Sequence, residues 1–258
     1  MKVHSPEAAL RGEPSYLWRA GQERRLQMML LAGDVQQGHR VLIDGCGLGL
    51  YIQKLRKHCV NVYGLDIEFS RLLNSLVAPD TLACGSCERL PYADGSFDRV
   101  ISHEVLEHVN NDAVAAREIV RVLAAPEKSR GKPGGRAIIF APHRYYPFET
   151  HGMYWRNRYY FGNIPLLNYV PFRLRERLAP HVRAYLRRDL YDLFGGANVR
   201  ILSHTVIYGG YDNVVARWGT AGYWLRSFLQ SLEHTPLRWL GLSHFMVVEK
   251  VAPHKDLR

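Results

Sequence analysis

The chain reads as a doubly wound α/β protein, a mostly parallel sheet with helices on both faces. Three observations predict it. Apolar, strand-like runs alternate with helical patterns between residues 40 and 141. The first run ends in an acid and a glycine turn, Val41-Leu42-Ile43-Asp44-Gly45-Cys46-Gly47-Leu48-Gly49. The next, Val62-Tyr63-Gly64-Leu65-Asp66, also closes on an acid.

Taken in order, residues 15–32 predict a helix with one apolar side and charges at Arg19, Glu23, Arg24 and Arg25. Strands are expected at 40–44, 61–66, 80–84, 98–102 and 136–141, with helices at 49–58, 68–77 and 111–124. Right-handed crossovers bring the carboxyl ends of the first, second and fourth strands to one rim. The run 124–134, with Lys128, Arg130 and Lys132, reads as a solvated surface loop. Prolines at 142, 147, 165, 171 and 180 keep 142–180 from forming one long helix. A helix from His181 to Phe194 stops at Gly195-Gly196. Strands at 198–207 and 244–251 follow, separated by a partly helical insertion at 211–240 that holds Trp218, Tyr223, Trp224, Phe228 and Trp239.

At 258 residues and 47% hydrophobic composition, one core can form. The expected organisation is a single domain, 1–258: N-terminal helix 15–32, core 38–142, a lid or acceptor insertion at about 143–180, and C-terminal helix and strands 181–252 interrupted at about 211–240. No apolar run approaches a membrane span. Glu7, Arg11 and Glu13 stand where a signal peptide is apolar, so a cytoplasmic location is expected, at most peripheral to the inner face of the membrane. Cys46, Cys59, Cys84 and Cys87 do not form a disulfide framework. Cys84 and Cys87 have the spacing of half a zinc site, but no second pair follows, and no metal is expected there.

Strand, acid, glycine turn and downstream acid together describe a nucleoside pocket. Glycines let the backbone approach a ligand closely, and an acid ending the neighbouring strand accepts from ribose hydroxyls. The dinucleotide fingerprint is G-x-G-x-x-G. Here Gly45, Gly47 and Gly49 space as G-x-G-x-G, and Asp44 stands where a pyrophosphate would lie. A carboxylate there repels phosphate but accepts from an ammonium group. S-adenosylmethionine has the ammonium and no phosphate.

With these residues in place, the chain resembles the class I S-adenosylmethionine-dependent methyltransferases, in particular the type 11 methyltransferase domain. The resemblance continues through Gly85-Ser86-Cys87-Glu88-Arg89-Leu90-Pro91, through Ser102-His103-Glu104-Val105-Leu106-Glu107-His108-Val109, and through Lys132-Pro133-Gly134-Gly135-Arg136. It is close over about residues 40–142 and fades beyond. It implies a Rossmann-like, seven-stranded, mostly parallel sheet with an antiparallel last strand, the final two strands forming a hairpin at one edge. It also implies S-adenosyl-L-methionine as cofactor. On this reading Asp44, Gly45 and Cys46 lie near the methionine end, and Gly47 and Gly49 permit close backbone approach. Asp66 holds the ribose and Ile67 lies against the adenine face. Ser86 and Cys87 meet the adenine edge, where many relatives carry an acid at the position of Ser86. Ser102 lies near the sulfonium, with His103 facing the acceptor.

For a hydroxyl acceptor a proton must be removed, and histidine is suited to this near neutral pH. His151 with Glu149 is the first choice, both lying in the loop past the fifth strand, and His103 is the second. His108 is expected to be structural. The net charge of +10 is concentrated late in the chain. Arg156, Arg158, Arg173, Arg175, Arg177, Arg183, Arg187 and Arg188 face a single acid, Glu176, within 156–188, with Tyr159, Tyr160, Phe161, Tyr169 and Phe172 interleaved. Three readings fit: a grip on nucleic acid, contact with an anionic membrane or polyanion, or a solvated lid whose aromatics pack. The expected activity is methyl transfer to a small-molecule or lipid-linked acceptor, at oxygen. The alternatives are an RNA methyltransferase, a methyltransferase-like binding protein without turnover, and a nicotinamide-dependent oxidoreductase.

Overall fold

The computed structural model describes residues 17–252 apart from 128, 130, 157, 196 and 197. The first two residues of the expected N-terminal helix, the acids and arginine near the N-terminus, Lys128, Arg130 and Gly196 lie outside the described residues.

Five apolar runs become parallel strands: β1 (Arg40–Asp44), β2 (Asn61–Asp66), β3 (Leu82–Cys84), β4 (Arg99–His103) and β5 (Arg136–Pro142). Two pairs of short strands follow, β6 (Phe148–Glu149) with β9 (Ile164–Pro165) and β7 (Met153–Trp155) with β8 (Arg158–Tyr160). The last strands of the chain are β10 (Val199–Ile207) and β11 (Ser243–Lys250). The main sheet has seven strands in the order β10-β11-β5-β4-β1-β2-β3. β11 alone runs against its two neighbours, β5 and β10. The antiparallel last strand and edge hairpin implied by the resemblance are therefore present.

Both faces of the sheet are covered, as a parallel sheet requires. Helices α1 (Ala20–Gly33) and α2 (Leu50–Leu55) lie on one face; α3 (Phe69–Leu73) follows β2. On that first face, Leu26, Met29, Ile52 and Leu55 pack with Val41, Ile43, Ile101, Ile138 and Phe140. The other face carries α4 (Asp112–Val122) and, beyond α5 (Phe172–Leu178), α6 (Arg187–Gly195). Here Ala115, Ala116, Ile119, Leu190 and Phe194 pack with Leu42, Val100, Ile139 and Met246. Successive strand residues alternate between the two clusters, the period-2 signature of a strand buried on both sides. Finally α7 (Asp212–Trp218) and α8 (Thr220–Ser231) fill the 211–240 insertion. They dock on the start of α1, where Asp212 accepts from the Gly21 backbone N–H and Glu233 pairs with Arg24.

Several elements are shorter than their sequence patterns. α3 ends at Leu73, and the Ser75 hydroxyl and Leu76 N–H instead bond the Leu48 carbonyl. The helix expected from His181 begins only at Arg187, after an extended stretch in which Tyr185 bridges His143. Buried Val182 and Tyr185 hold that stretch, and Asp189 caps the helix by accepting from the Leu186 N–H at 2.7 Å. The insertion past β5 is organised around a buried charge. Arg175 on α5, only 3% exposed, donates to Glu149, to the Asn168 side chain and to the Val182 carbonyl. Arg175 is thus not part of the solvated arginine surface, whereas Arg156, Arg158, Arg173 and Arg177 are exposed.

Where β5, β10 and β11 meet the rim, three histidines form a chain. His204 donates to His244 at 3.0 Å, and His244 donates to the Tyr185 carbonyl at 2.9 Å. The His143 ring lies 4.5 Å from that of His244. Burial, with the neighbouring charges, pushes all three down to about 4. Unfolding returns them to about 6.5, so the unfolded chain takes up protons first as the pH falls. The stability they contribute is therefore complete above about pH 6.5 and is lost progressively towards pH 4. Urea midpoints recorded at pH 7, 6 and 5 should fall steadily, and His244→Gln should flatten the trend. An unchanged wild-type midpoint over that range would refute this account.

Candidate functional site

Parallel register decides the site. Asp44 at the end of β1 stands opposite Leu65, beside the final Asp66 of β2, and opposite Ser102 of β4. An open cleft of about 160 Å³ lies at this rim. Asp44, Gly45, Asp66, Ile67, Ser86 and Cys87 all line it, joined by Arg71, Glu104, Val105, His108 and Asn110.

Gly45 has φ +71°, and a Cβ there would lie 2.4 Å from Val105. No other residue fits. The turn is pinned from below by Asp66, whose Oδ2 accepts from the Gly47 N–H at 2.8 Å while Oδ1 accepts from the Glu68 N–H at 2.9 Å. A carboxylate retains further lone-pair sites for a ribose.

Asp44 is 1% exposed. Its Oδ2 accepts from Ser102 at 3.5 Å, and Oδ1 meets no donor among the described residues. Burial, reinforced by the Asp66 charge, pushes Asp44 up to about 7. A buried carboxylate with an orphaned oxygen is poised for a cationic donor. The ammonium of S-adenosylmethionine fits that requirement, and a pyrophosphate does not. Burial also raises the Cys46 and Cys87 thiols, so both stay protonated. All four cysteines are free.

Other expected residues lie elsewhere. Cys46, Gly47 and Gly49 do not line the cleft. Cys46 packs into the core on the α1 side, and Gly47 and Gly49 shape the turn with positive φ. Ser102 is fully buried and reaches Asp44 rather than open space. His103 points away from the acceptor side expected of it. Its ring lies between Tyr51 and Phe140, its Nε2 meets the Arg25 guanidinium, and burial lowers it to about 3. Strand alternation turns this side chain to the other face from Ser102.

His108, expected to be structural, lies on the cleft wall in a 3₁₀ turn, Leu106–His108, just past the fourth strand. The His151 ring is 5.2 Å from it. His151 Nδ1–H donates to Glu149 at 3.0 Å. Burial alone would raise Glu149, but the hydrogen bond from His151 and the Arg175 charge hold it at about 2. Glu104, in the left-handed region at φ +56°, accepts from Arg25 at 2.9 Å and from Ser243 at 3.1 Å. Sequence reasoning assigned no role to Glu104 or Glu107. The available signal was the Glu104-x-x-Glu107-His108 spacing directly past a strand.

Residues 43–139 match the family model of a methyltransferase domain. That stretch is similar to the class I S-adenosylmethionine-dependent methyltransferases. The chain is 33% identical over 129 residues to the methyltransferase GfsG of Streptomyces halstedii, 45% of this chain and 42% of that one. Against the malonyl-[acyl-carrier protein] O-methyltransferase of Erwinia pyrifoliae it is 34% identical over 102 residues, 39% and 36% of the two chains. The matched stretches thus span less than half the length of these relatives. Its fold is similar to that of an S-adenosylmethionine-dependent methyltransferase from Mesorhizobium loti, with a TM-score of 0.59 and 18% identity, over 90% of this chain and 98% of that one. S-adenosylmethionine is the cofactor of this methyltransferase fold, and the Asp44–Asp66 cleft has the donor deficit that suits it.

Two outcomes follow from this geometry. Asp66→Ala removes both a ribose acceptor and the anchor of the glycine turn, so calorimetry should show cofactor affinity reduced at least about tenfold; unchanged affinity would place the ribose elsewhere. Asp44 has a folded value near 7 against about 3.9 unfolded. The stability it contributes is present below about pH 4 and is lost as the pH rises to 7. Asp44→Asn should therefore gain thermal stability relative to wild type between pH 5 and 7 and hold that gain above. Cofactor affinity of the wild type should rise from pH 6 to 8 while that of the variant stays weak and level. Parallel pH profiles for the two proteins would contradict the assignment.

Proposed function

We propose that the protein transfers the methyl group of S-adenosylmethionine to the hydroxyl of a small-molecule or lipid-linked, anionic acceptor. What supports this reading most is a second, larger groove of about 920 Å³. It shares His108, Val109 and Asn110 with the cofactor cleft, so two ligands can meet at that junction. The groove is wide enough for a drug-sized molecule. Arg144, Arg183 and Arg188 line it together with the acids Asp112, Glu176 and Asp189, and Phe172 and Tyr185 supply apolar surface. Relatives named for malonyl-[acyl-carrier protein] O-methylation and for demethylmenaquinone methylation act on small or carrier-bound acceptors.

When bound, the cofactor supplies a methyl group already activated on a sulfonium. The chain's own residues do the remaining work. Asp44 and Asp66 orient the methionine and ribose ends. Val105 and the Gly45 backbone close the floor of the cleft. His151, aligned by Glu149 and Arg175, is the residue on which loss of the acceptor proton depends. Exposed Trp155, Tyr160 and Phe172 beside Arg156, Arg158 and Arg173 suit an approach to an anionic membrane surface.

The test begins with calorimetry. S-adenosylmethionine should give a clear isotherm and NAD none; the opposite pattern would overturn the reading. Incubation with methyl-labelled cofactor and a small-molecule and lipid extract of the source cells should then yield one labelled ether or ester by mass spectrometry. His151→Ala should lower that rate about a hundredfold or more with cofactor affinity unchanged. Label appearing only in RNA would refute the acceptor class.

A further inference from the structure

Beside the junction of the two grooves stands a group of side chains that cofactor binding does not use. Glu107, His108 and His151 offer ligand-type atoms that all lie within 4.8 Å of one another. Glu107 is 1% exposed, and apart from the facing Glu104 carboxyl its side-chain oxygens meet no hydrogen-bond partner among the described residues. Burial and the Glu104 charge both disfavour a charged Glu107, so a cation at this point would relieve the pair.

The two histidines are oriented by their far nitrogens. His108 Nδ1–H donates to the His181 carbonyl at 3.4 Å, and its Nε2 lies 4.0 Å from Glu107 Oε1. His151 Nδ1–H donates to Glu149, which Arg175 holds in turn. Each ring therefore keeps Nε2 as its lone-pair nitrogen. A carboxylate or carbonyl fixing the tautomer of a ligating histidine is the usual support of a metal site. Glu104, facing Glu107, adds negative charge to the neighbourhood while its Oε1 is engaged by Arg25 and Ser243.

We propose that Glu107, His108 and His151 bind one divalent first-row metal ion, such as Mn²⁺, Fe²⁺ or Zn²⁺, at the junction of the cofactor cleft and the acceptor groove. Two imidazoles and one carboxylate with open positions suit these ions better than Mg²⁺ or Ca²⁺, which prefer all-oxygen sites. Ligand atoms about 2.1 Å from a common ion stand about 3–4 Å apart, so side-chain rotations of about an ångström close the site. Glu107 and His108 line the larger groove. An ion held there would lower the pKa of an acceptor hydroxyl in the groove, whose proton would pass to bulk water before the C–S bond breaks and the C–O bond forms. On this account the dependence of proton loss on His151 would run through its place as a metal ligand. This role rests on the methyl-transfer reading; the metal site itself does not.

The test uses the full-length, tag-free protein stripped with chelator. Mn²⁺ titrated by electron paramagnetic resonance and Zn²⁺ by calorimetry should each show one equivalent bound. Glu107→Gln, His108→Ala and His151→Ala should each weaken binding about a hundredfold or more, and Glu149→Gln about tenfold. Calorimetry with S-adenosylmethionine alone checks Glu107→Gln and His151→Ala, whose side chains do not line the cofactor cleft, and unchanged affinity in these two shows that the fold and cleft are intact. Because Glu107→Gln removes only a charge, it keeps the test valid if a histidine variant fails to fold. No saturable metal binding by the wild type, or binding that Glu107→Gln and His151→Ala leave unaltered, would overturn the proposal. Metal binding without cofactor binding would refute the methyltransferase reading and leave the metal site standing.

Discussion

Asp44 and Asp66 occupy the ends of adjacent parallel strands, almost without solvent, and their charges oppose each other. Burying two like charges this closely is unfavourable unless donors are brought to them. Asp66 receives two backbone N–H groups, and the glycine turn is folded to deliver one of them. Asp44 receives the distant Ser102 hydroxyl with the Cys87 thiol alongside, and its Oδ1 meets no donor among the described residues. The resulting deficit faces the cleft, so the site is defined by a charge the protein does not itself neutralise. Both helical layers serve this arrangement, because they set the register that keeps the two acids side by side.

A second charged knot governs the insertion beyond β5. Two short strand pairs and one short helix would make a poor independent fold, with only Leu167, Ala179 and Val182 as a small apolar centre. Arg175 supplies what that centre lacks. Its guanidinium reaches Glu149, Asn168 and the Val182 carbonyl, tying three segments together in one fixed fork. Through Glu149 the same knot sets the ring of His151. The part of the chain that frames the larger groove is thereby coupled to the rim of the main sheet by polar geometry rather than by a large core.

Local patterns carried the cofactor half of the molecule. A strand that ends in Asp44, a turn that tolerates positive φ at Gly45, and a second strand ending in Asp66 are written in consecutive residues, so spacing and chemistry suffice to place them. The sheet order was equally accessible, since alternating strands and helices restrict the crossovers. Side-chain direction at strand ends was harder. His103 and Ser102 are neighbours in sequence, yet the pleat sends them to opposite faces, and His103 ends between Tyr51 and Phe140. Arg175 looked like one more surface arginine because nothing in its immediate sequence announces that Glu149 lies opposite.

By itself the sequence determined the fold class, the nucleoside character of the site and the preference for an ammonium over a pyrophosphate, because each depends on residues within a strand or turn of one another. The meeting of Glu107, His108 and His151 was decided only by the tertiary structure. Two of these residues sit in a 3₁₀ turn past β4 and the third in an insertion past β5, and their approach depends on how that insertion folds back through Arg175. Contacts between segments so far apart in the chain arise from packing and buried charge, which no local periodicity records.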